Sequence, residues 1–309
     1  MSPLRLTVAV QGEPGSNSAL AAEQYLGKER VALMPCSTFA DLFAVMARGD
    51  ADLAMAPVEN SLGGSVHPVW DLLTRSDCAV VGEMFFHVRH CLIAHPSVAL
   101  HEIRSVYSHE QALAQCRRFL GQLVWLETDH IISAYDTAGA VKMIKARGLR
   151  SEAAIASPQA AGIYSMSILA TDIQTDPANH TRFLLLTGRN EPHATAADGS
   201  ETWWRPAHAD ALAASGLAKY TLIMVLDNCG RQLPGILATL HRESFRLVKL
   251  ETAKLVGRPW VYRVYLDFVT GCEETIHAEI GTRLQGMAET VRLLGPYPAA
   301  PCPDAAKPG

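Results

Sequence analysis

The chain has 309 residues, of which 49% are hydrophobic and 19% are charged. This length and composition are typical of a globular protein of about two domains with sizeable cores, and they exclude a fibrous or broadly disordered chain. The 27 Lys+Arg and 31 Asp+Glu residues leave a net charge of −4, so the chain has no overall basic field for nucleic acid or a membrane surface.

The cysteines and the first residues predict a cytoplasmic protein. Seven cysteines are scattered without a CxxC or Cys/His zinc spacing, which favours single thiols over disulfides or structural zinc. No run approaches the ~18 apolar residues of a membrane span, and the chain begins without the basic end and apolar stretch of an export signal. We therefore expect no metal, no nucleic-acid partner and no membrane contact.

From residue 5 onward, short β-type runs alternate with helical segments, which is typical of α/β layers. The predicted strands are Leu6–Val10, Ala51–Val58, Ala79–Phe86, His90–Ala94, Val106–Tyr107, Leu123–Leu126, Ala153–Ile155 and Thr181–Leu186. The predicted helices are Ala19–Leu26, Phe39–Arg48, Gln111–Leu120, Thr137–Ala146 and Pro158–Tyr164. These units predict a domain over 1–187 with two lobes and a cleft: lobe one about 1–78 and 170–187, and lobe two about 79–169.

The rest of the chain predicts a linker, a second module and a tail. Residues 188–216 turn to polar residues, Ala and Pro, and are predicted to be the linker. The module, 217–295, reads as βαββα, with strands Tyr220–Leu226, Phe245–Glu251 and Val261–Phe268 and helices Gly235–Glu243 and Thr275–Leu294. The proline-rich tail, 296–309, can form neither a helix nor a central strand, and we expect it to be mobile.

A polar loop follows the first predicted strand, at the sheet edge where α/β proteins bind ligands. This loop, Gln11–Ser18, carries two glycines and Ser16, so backbone N–H groups can approach an anion at a helix start. It matches neither GxGxxG nor a Walker loop, and so indicates neither a dinucleotide nor a triphosphate. A serine helix cap on a glycine turn is the alternative interpretation.

Four further loops carry hydrogen-bonding side chains. Segment 59–65 contains Asn60, Ser61 and Gly64, and segment 108–111 brings Ser108, His109 and Gln111 to a helix start. Segment 136–139 opens another helix with Asp136 and Thr137, and segment 179–183 contains Thr181, Arg182 and Phe183. Helix capping is the alternative for His109 and Thr137, a surface ion pair for Arg182, and a core position for Phe183.

These loops predict a pocket for a small acid with several negative charges. Arg182 matches a carboxylate because its planar fork donates two parallel hydrogen bonds. The sequence contains no nucleophile elbow, no plausible Ser-His-Asp or Cys-His spacing, no metal cluster and no cofactor fingerprint. The chemistry must therefore be one that positioning and hydrogen bonding can perform.

Four segments, in this order and spacing, resemble the prephenate dehydratase family. They are Glu-Asn-Ser-Leu-Gly-Gly-Ser-Val at 59–66, Ser-His-Glu-Gln-Ala at 108–112, Asp-Thr-Ala-Gly-Ala at 136–140 and Asn-His-Thr-Arg-Phe at 179–183. Residues 219–295 resemble the regulatory ACT domain of that family. The resemblance implies a two-lobed catalytic domain like a type II periplasmic-binding protein, followed by a ferredoxin-like α+β ACT domain. That domain is βαββαβ, with a final strand where the pattern shows only helix.

The resemblance also implies an activity. Prephenate would lose water and carbon dioxide to give phenylpyruvate, in phenylalanine biosynthesis, without a metal or cofactor. Nothing in the sequence resembles an attached chorismate mutase, so we expect the monofunctional form, as a homodimer or homotetramer. Two alternatives remain open: the same reaction on arogenate, and a two-lobed sensor that binds a small acid without catalysis.

By resemblance, Thr181 is the catalytic residue whose hydroxyl bonds the departing oxygen, assisted by Asn60 and Gln111. A threonine hydroxyl is too weak an acid to deliver a proton freely at neutral pH, so a relay through water or a neighbour is required, and the sequence does not identify that neighbour. The residues expected to bind substrate are Ser16, Ser61, Gly64, Ser108, His109, Thr137, Arg182 and Phe183.

The second module is expected to bind an amino-acid effector through Asn228, Leu233, Gly235, Leu237 and Glu251. Three segments depart from the family pattern. Glu110 replaces a common proline, 235–238 reads Gly-Ile-Leu-Ala instead of GALA, and 251–254 reads Glu-Thr-Ala-Lys instead of ESRP. Because the last two line the phenylalanine site in relatives, feedback by phenylalanine is in question. Another amino acid, or a role in dimerisation alone, are the open alternatives.

Overall fold

The computed structural model describes residues 5–188, 212, 216–242, 245–255, 257–271, 280, 283, 284 and 286–303. The chain forms two compact units. The first contains the described residues of 5–76, 84–188 and 301–303, and the second contains 77–83 with the described residues between 212 and 300. Most of the predicted linker, 188–216, lies outside the described residues.

Eleven strands and seven α-helices lie between residues 5 and 188, all of which the structure describes. The strands are β1 (Leu6–Gln11), β2 (Val31–Cys36), β3 (Leu53–Asn60), β4 (Gly64–Ser65), β5 (Ala79–His87), β6 (Cys91–Ala94), β7 (Ser105–Ser108), β8 (Ile131–Ser133), β9 (Glu152–Ala156), β10 (Ser167–Ala170) and β11 (His180–Thr187). The helices are α1 (Asn17–Leu26), α2 (Phe39–Arg48), α3 (His67–Arg75), α4 (Glu110–Gln115), α5 (Arg117–Leu120), α6 (Thr137–Arg147) and α7 (Pro158–Ile163).

The first sheet has the strand order β2-β1-β3-β11-β5, with β4 paired to β3. Strand β1 is parallel to β2 and β3, whereas β11 is antiparallel to β3. The start of β3 is completely buried because both faces of this central strand are covered, which explains its continuous apolar run. Strand β5 joins this sheet, so the prediction that lobe two begins at residue 79 is wrong.

The second sheet has the order β10-β6-β9-β7-β8. Strand β7 is parallel to β8 and β9, and β6 is antiparallel to β9 and β10. The predicted helix Gln111–Leu120 is divided at Cys116 into α4 and α5. The predicted strand Leu123–Leu126 is wrong: the segment is a loop in which Val124 is 89% exposed.

The second unit is built on an antiparallel sheet. Its elements are β12 (Leu217–Leu226), α8 (Cys229–Arg242), β13 (Arg246–Lys254), β14 (Tyr262–Gly271) and β15 (Thr290–Pro298), and the strand order is β13-β14-β12-β15. Apolar residues of α8 pack on one face of the sheet, with Ile236 and Leu240 buried against Leu222 and Leu266. Among the described residues, no helix is long and apolar enough to cross a membrane.

Two predictions at the end of the chain are wrong. The predicted helix Thr275–Leu294 ends in a strand, because Thr290–Pro298 pairs with β12. The tail predicted to be mobile from Pro296 begins with residues of this strand. Since β15 lies at the sheet edge, its prolines need not donate to a neighbouring strand. The final strand that the family resemblance implies is therefore present.

A buried ion pair lies in the second unit. Lys219 Nζ donates to both carboxylate oxygens of Glu83, at 3.0 and 2.9 Å. Lys219 is 6% exposed and Glu83 is 3% exposed. The backbone N–H of Ala300 also donates to the Glu83 carboxylate, at 3.0 Å. These hydrogen bonds satisfy a charge that would otherwise be costly to bury.

Candidate active site

The first unit contains a cavity of about 160 Å³. It is lined by residues at the ends of β1 and β3, at the start of β11, and at the starts of α1, α2, α4 and α6. The lining residues are Gln11, Ser16, Asn17, Ser18, Phe39, Pro57, Asn60, Val66, Val88, His90, His109, Gln111, Ala112, Gln115, Asp136, Thr137, Thr181 and Phe183. Of the residues predicted for the site, the structure therefore brings together Thr181, Asn60, Gln111, Ser16, His109, Thr137 and Phe183.

Strand pairing places Thr181 beside Asn60. The two residues are opposite each other where β11 meets β3, and the register shifts immediately after, between Arg182 and Phe183. Asn60 Nδ2 lies 3.1 Å from Thr181 Oγ1. Asn60 is 5% exposed, so this hydrogen bond is largely shielded from water.

The direction of this hydrogen bond follows from the backbone. The N–H groups of Leu62 and Gly63 donate to Asn60 Oδ1, at 3.1 and 2.8 Å. A backbone N–H can only donate, so the amide of Asn60 can have only one orientation, with Nδ2 towards Thr181. Thr181 Oγ1 is therefore the acceptor. No described residue accepts a hydrogen bond from the Thr181 hydroxyl, and its hydrogen is free for an acceptor in the cavity.

Gln115 extends the same network, and sequence analysis did not identify it. Its Nε2 donates to Asn60 Oδ1 at 3.1 Å, and its Oε1 accepts from Asn179 Nδ2 at 2.9 Å. Asn179 is fully buried and its Oδ1 accepts from Asn60 at 2.8 Å. Residue 115 is four positions after Gln111, on the same helix face, and this spacing was the signal that could have found it.

Gln111 and Gly63 are in close contact. A Cβ added at Gly63 would overlap Gln111 Nε2. A glycine at this position leaves room for the Gln111 amide at the cavity wall. The N–H of Gln111 donates to His109 Nδ1 at 3.2 Å, so His109 caps α4 as well as lining the cavity.

Two helix starts contribute partial positive charge to the cavity. Helix α1 begins after Ser16, whose hydroxyl accepts from the N–H of Ala19 at 3.3 Å. Helix α6 begins with Thr137, after the cap Asp136. The N-terminus of a helix favours an anion because its first N–H groups lack partners in the helix. The cavity can therefore stabilise negative charge without a lysine or arginine among its lining residues.

Asp136 links the first polar loop to α6. One carboxylate oxygen accepts from the N–H groups of Glu13 and Gly139, at 3.0 and 2.9 Å. Burial raises the pKa of Asp136 above its usual range, although these hydrogen bonds oppose the shift. Tyr135 and Lys142 also bond the Glu13 carboxylate, at 3.0 and 2.8 Å. The loop is therefore fixed in place by several groups.

Four residues predicted to bind substrate do not line the cavity. Ser61 bonds Ala178 and His180 at 2.9 Å, and the Ser108 hydroxyl donates to the carbonyl of Ile155 at 2.6 Å, so both hydroxyls hold the loops together. Gly64 is exposed. Arg182 is 3% exposed and lies 3.8 Å from Glu59. It is not a cavity residue because side chains alternate along a strand, and Thr181 and Phe183 take the cavity side.

An apolar wall completes the cavity. Phe39, Val66, Val88 and Phe183 are among its lining residues. Phe183 is 1% exposed and packs edge-on against Phe86, with the ring centroids 6.3 Å apart. Phe183 is therefore both a core residue and a cavity residue. Such a surface suits the ring of a small cyclic acid.

Comparisons with known proteins identify the family that this chain resembles. The family model described as "Prephenate dehydratase" matches residues 8–191. The curated "Arogenate dehydratase/prephenate dehydratase 2, chloroplastic" of Arabidopsis thaliana is 35% identical over 95% of this chain and 73% of its own length.

Two solved structures are similar over most of the chain. One, "GqqA- a novel type of quorum quenching acylases", has a TM-score of 0.75 and 31% identity over 96% of this chain and 98% of its own. The other, prephenate dehydratase from Arthrobacter aurescens in complex with L-Phe, has a TM-score of 0.75 over 94% of this chain and 89% of its own, at 24% identity. With the family model matching more than half of its length, the chain belongs to the prephenate dehydratase family.

Proposed function

We propose that this chain converts prephenate to phenylpyruvate, with loss of water and carbon dioxide. The observation that carries the proposal is the fixed direction of the hydrogen bond between Asn60 and Thr181, which leaves the Thr181 hydrogen for an oxygen in the cavity. The departing hydroxyl of prephenate is such an oxygen. The apolar wall would hold the ring, and the starts of α1 and α6 would face its carboxylates.

The reaction needs positioning and a proton. The bond between the ring and one carboxylate breaks, and its electron pair completes the aromatic ring as carbon dioxide leaves. The C–O bond to the ring hydroxyl breaks, and the departing oxygen takes up a proton to become water. Prephenate has two negative charges and phenylpyruvate has one, so each turnover consumes one proton. Thr181 stabilises the departing oxygen as negative charge develops on it.

The proposal is tested by incubating the purified chain with prephenate and following phenylpyruvate. Thr181→Ala removes the donor, and we expect kcat to fall by roughly 10²–10⁴-fold, with a smaller change in KM. Thr181→Ser retains the hydroxyl and serves as the matched control. A chain without activity on prephenate or arogenate would overturn the proposal, whereas full turnover by Thr181→Ala would overturn only the role of Thr181.

Arogenate is the second candidate substrate, because the plant relative is named for both compounds. Arogenate has an ammonium where prephenate has a keto group, and an acidic side chain would favour it. Asp136 is the acidic residue among the described cavity residues, and its carboxylate already accepts two backbone hydrogen bonds. We therefore favour prephenate. The ratio of kcat/KM for the two compounds decides between them.

Acylase activity is a different candidate, suggested by the likeness to GqqA. Hydrolysis of an acyl compound needs an activated nucleophile or water. The Ser16 hydroxyl is directed to the carbonyl of Gln11, at 3.4 Å, and no described base accepts its hydrogen. The geometry thus favours dehydration, and incubation with an N-acyl amide as the substrate tests the alternative.

We further propose that the second unit is an ACT domain that binds an amino acid and mediates homodimer or homotetramer formation in the cytoplasm. The L-Phe in the A. aurescens structure supports the binding of an amino acid. The described cysteines are free thiols, which supports a reducing compartment such as the cytoplasm. Asn228 caps α8, and Leu233 and Leu237 pack against the core, so these side chains already have structural contacts. Light scattering giving a mass of 33.5 kDa would contradict assembly, and a phenylalanine titration without heat would exclude that effector.

A further inference from the structure

His90 lines the cavity and has no role in the chemistry described so far. It is 2% exposed, and its Nε2 lies 2.9 Å from Gln115 Oε1. The amide of Gln115 is oriented by Asn60, whose own orientation the backbone N–H groups of Leu62 and Gly63 determine. Gln115 Oε1 is therefore an acceptor, and His90 Nε2 must carry the hydrogen.

This tautomer leaves Nδ1 of His90 without a proton. Nδ1 is buried and has no hydrogen-bond partner among the described residues. A buried nitrogen lone pair without a partner costs free energy. Protonation turns Nδ1 into a donor, from which an oxygen of a bound ligand can then accept a hydrogen bond. Burial lowers the pKa of His90, so the ring is neutral in the empty site at neutral pH.

A positive charge beside the cavity would stabilise a doubly negative ligand further than the two helix starts do alone. His90 and His109 are the basic side chains among the described residues that line it. Protonating His109 at Nδ1 would break its hydrogen bond with the N–H of Gln111. Protonating His90 at Nδ1 breaks no hydrogen bond, and Nε2 continues to donate to Gln115.

The surroundings of His90 permit this change. The ionisable groups on the segments that contact His90 and across the cavity include His87, Arg89, Cys91, Glu110, Cys116, Asp172, Asp176, His109 and Asp136. Arg89 and Asp172 form an exposed ion pair at 2.8 Å, and burial raises the pKa of both thiols. The charge of Arg89 is balanced by Asp172, and none of the other groups carries a fixed positive charge that would oppose protonation of His90.

We infer that His90 binds a proton at Nδ1 when a doubly negative ligand enters the cavity, and that the resulting imidazolium is the positive charge of the occupied site. This inference rests on the proposed function, which supplies the dianion. It also places a proton beside the cavity in a reaction that consumes one.

The linkage between charge and binding gives the sign of the pH dependence. The negative ligand raises the proton affinity of His90, so the complex binds more protons than the two separate partners. Ligand affinity is therefore expected to fall as the pH rises through the pKa of His90 in the complex. A shift of one pKa unit corresponds to about a tenfold change in affinity.

The test uses calorimetric titration of prephenate into the full-length Thr181→Ala chain at pH 7.5, in two buffers with different heats of ionisation. We expect the uptake of about one proton per ligand. Adding His90→Gln retains a donor for Gln115 but cannot hold the proton. It is expected to abolish uptake and weaken binding about tenfold. His95→Gln is the matched control, because His95 is a buried histidine outside the cavity lining that bonds the carbonyl of Ile144.

The outcomes separate the two proposals. Binding without proton uptake, or equal uptake with Gln at position 90, overturns the role of His90 and leaves the proposed function intact. Loss of uptake in His109→Gln alone assigns the proton to His109 and also overturns it. Absence of binding by a chain that is inactive on prephenate overturns the proposed function, and this inference with it. Thermal unfolding of each variant verifies that it is folded.

Discussion

At the scale of single residues, the chemistry of the site depends on which atoms donate. The side-chain amides of Asn60, Gln115 and Asn179 could each face either way. Two backbone N–H groups fix the orientation of Asn60, and the hydrogen bonds of Asn60 fix the other two amides. The sequence predicted Asn60 and Thr181 from their motifs. It could not predict the direction of the network, because this depends on loop geometry that brings residues about 120 positions apart into contact.

Asp136 gives a prediction about pH. Because burial raises its pKa, the ionised form is disfavoured in the folded state. The contribution of this carboxyl to stability is then largest below the unfolded pKa of about 4 and is lost as the pH rises through the folded value. Asparagine caps helices equally well and has no charge to bury. We expect the melting temperature of Asp136→Asn, relative to wild type, to increase between pH 4 and neutrality.

A constant difference in melting temperature across this range would contradict the prediction for Asp136. Asp41 is the matched control, because it completes the capping box of α2 at an exposed position. Asp41→Asn should show no comparable gain as the pH rises. Both differences are measured by thermal unfolding in buffers of equal ionic strength.

At the scale of elements, two neighbouring glycines in the segment after β3 are expected to differ in their roles. One affects activity and the other affects stability. Gly63→Ala would place a methyl group against Gln111, whose flexible amide can move away from the cavity wall. We expect kcat/KM to fall by about tenfold or more, with little change in the melting temperature. Gly64 has φ +75° and open space around it. Gly64→Ala should instead cost about 1–2 kcal/mol of stability and leave kcat/KM unaffected.

Measurements of kcat/KM and of unfolding on both variants test this contrast. Equal effects of the two substitutions on activity would contradict it. They would also restore the prediction, made from sequence, that Gly64 contacts substrate. In the structure Gly63, and not Gly64, lies against Gln111 at the cavity wall. The motif identifies the loop but not the direction in which each residue faces.

Sequence patterns predicted some strands and helices correctly and missed or misassigned others. Long apolar runs such as β3 and the amphipathic helix α2 followed directly from periodicity. Strand β2 was missed, although Pro35 is compatible with its place at the sheet edge. The helix predicted over Thr275–Leu294 was wrong because pairing with β12 determines the conformation of its last residues.

At the scale of the whole molecule, the ion pair between Lys219 and Glu83 joins residues 136 positions apart in the sequence. Lys219→Met would leave a buried carboxylate without its cation, and we expect the free energy of unfolding to fall by about 3–5 kcal/mol. The double variant with Glu83→Gln removes that charge and should recover part of the loss. Denaturant unfolding measures both. A single variant as stable as wild type would show that the pair contributes little.

The role of the loop backbone in orienting Asn60 has a consequence for how the family can diversify. At positions 62 and 63 the chemistry requires a peptide N–H, and the side chain of Leu62 is 42% exposed. Evolution can therefore vary residue 62 widely without altering the reaction, with proline as the forbidden choice because it lacks the hydrogen. A position that varies among homologues can thus be essential through its main chain alone, and ranking sites by side-chain identity would overlook it.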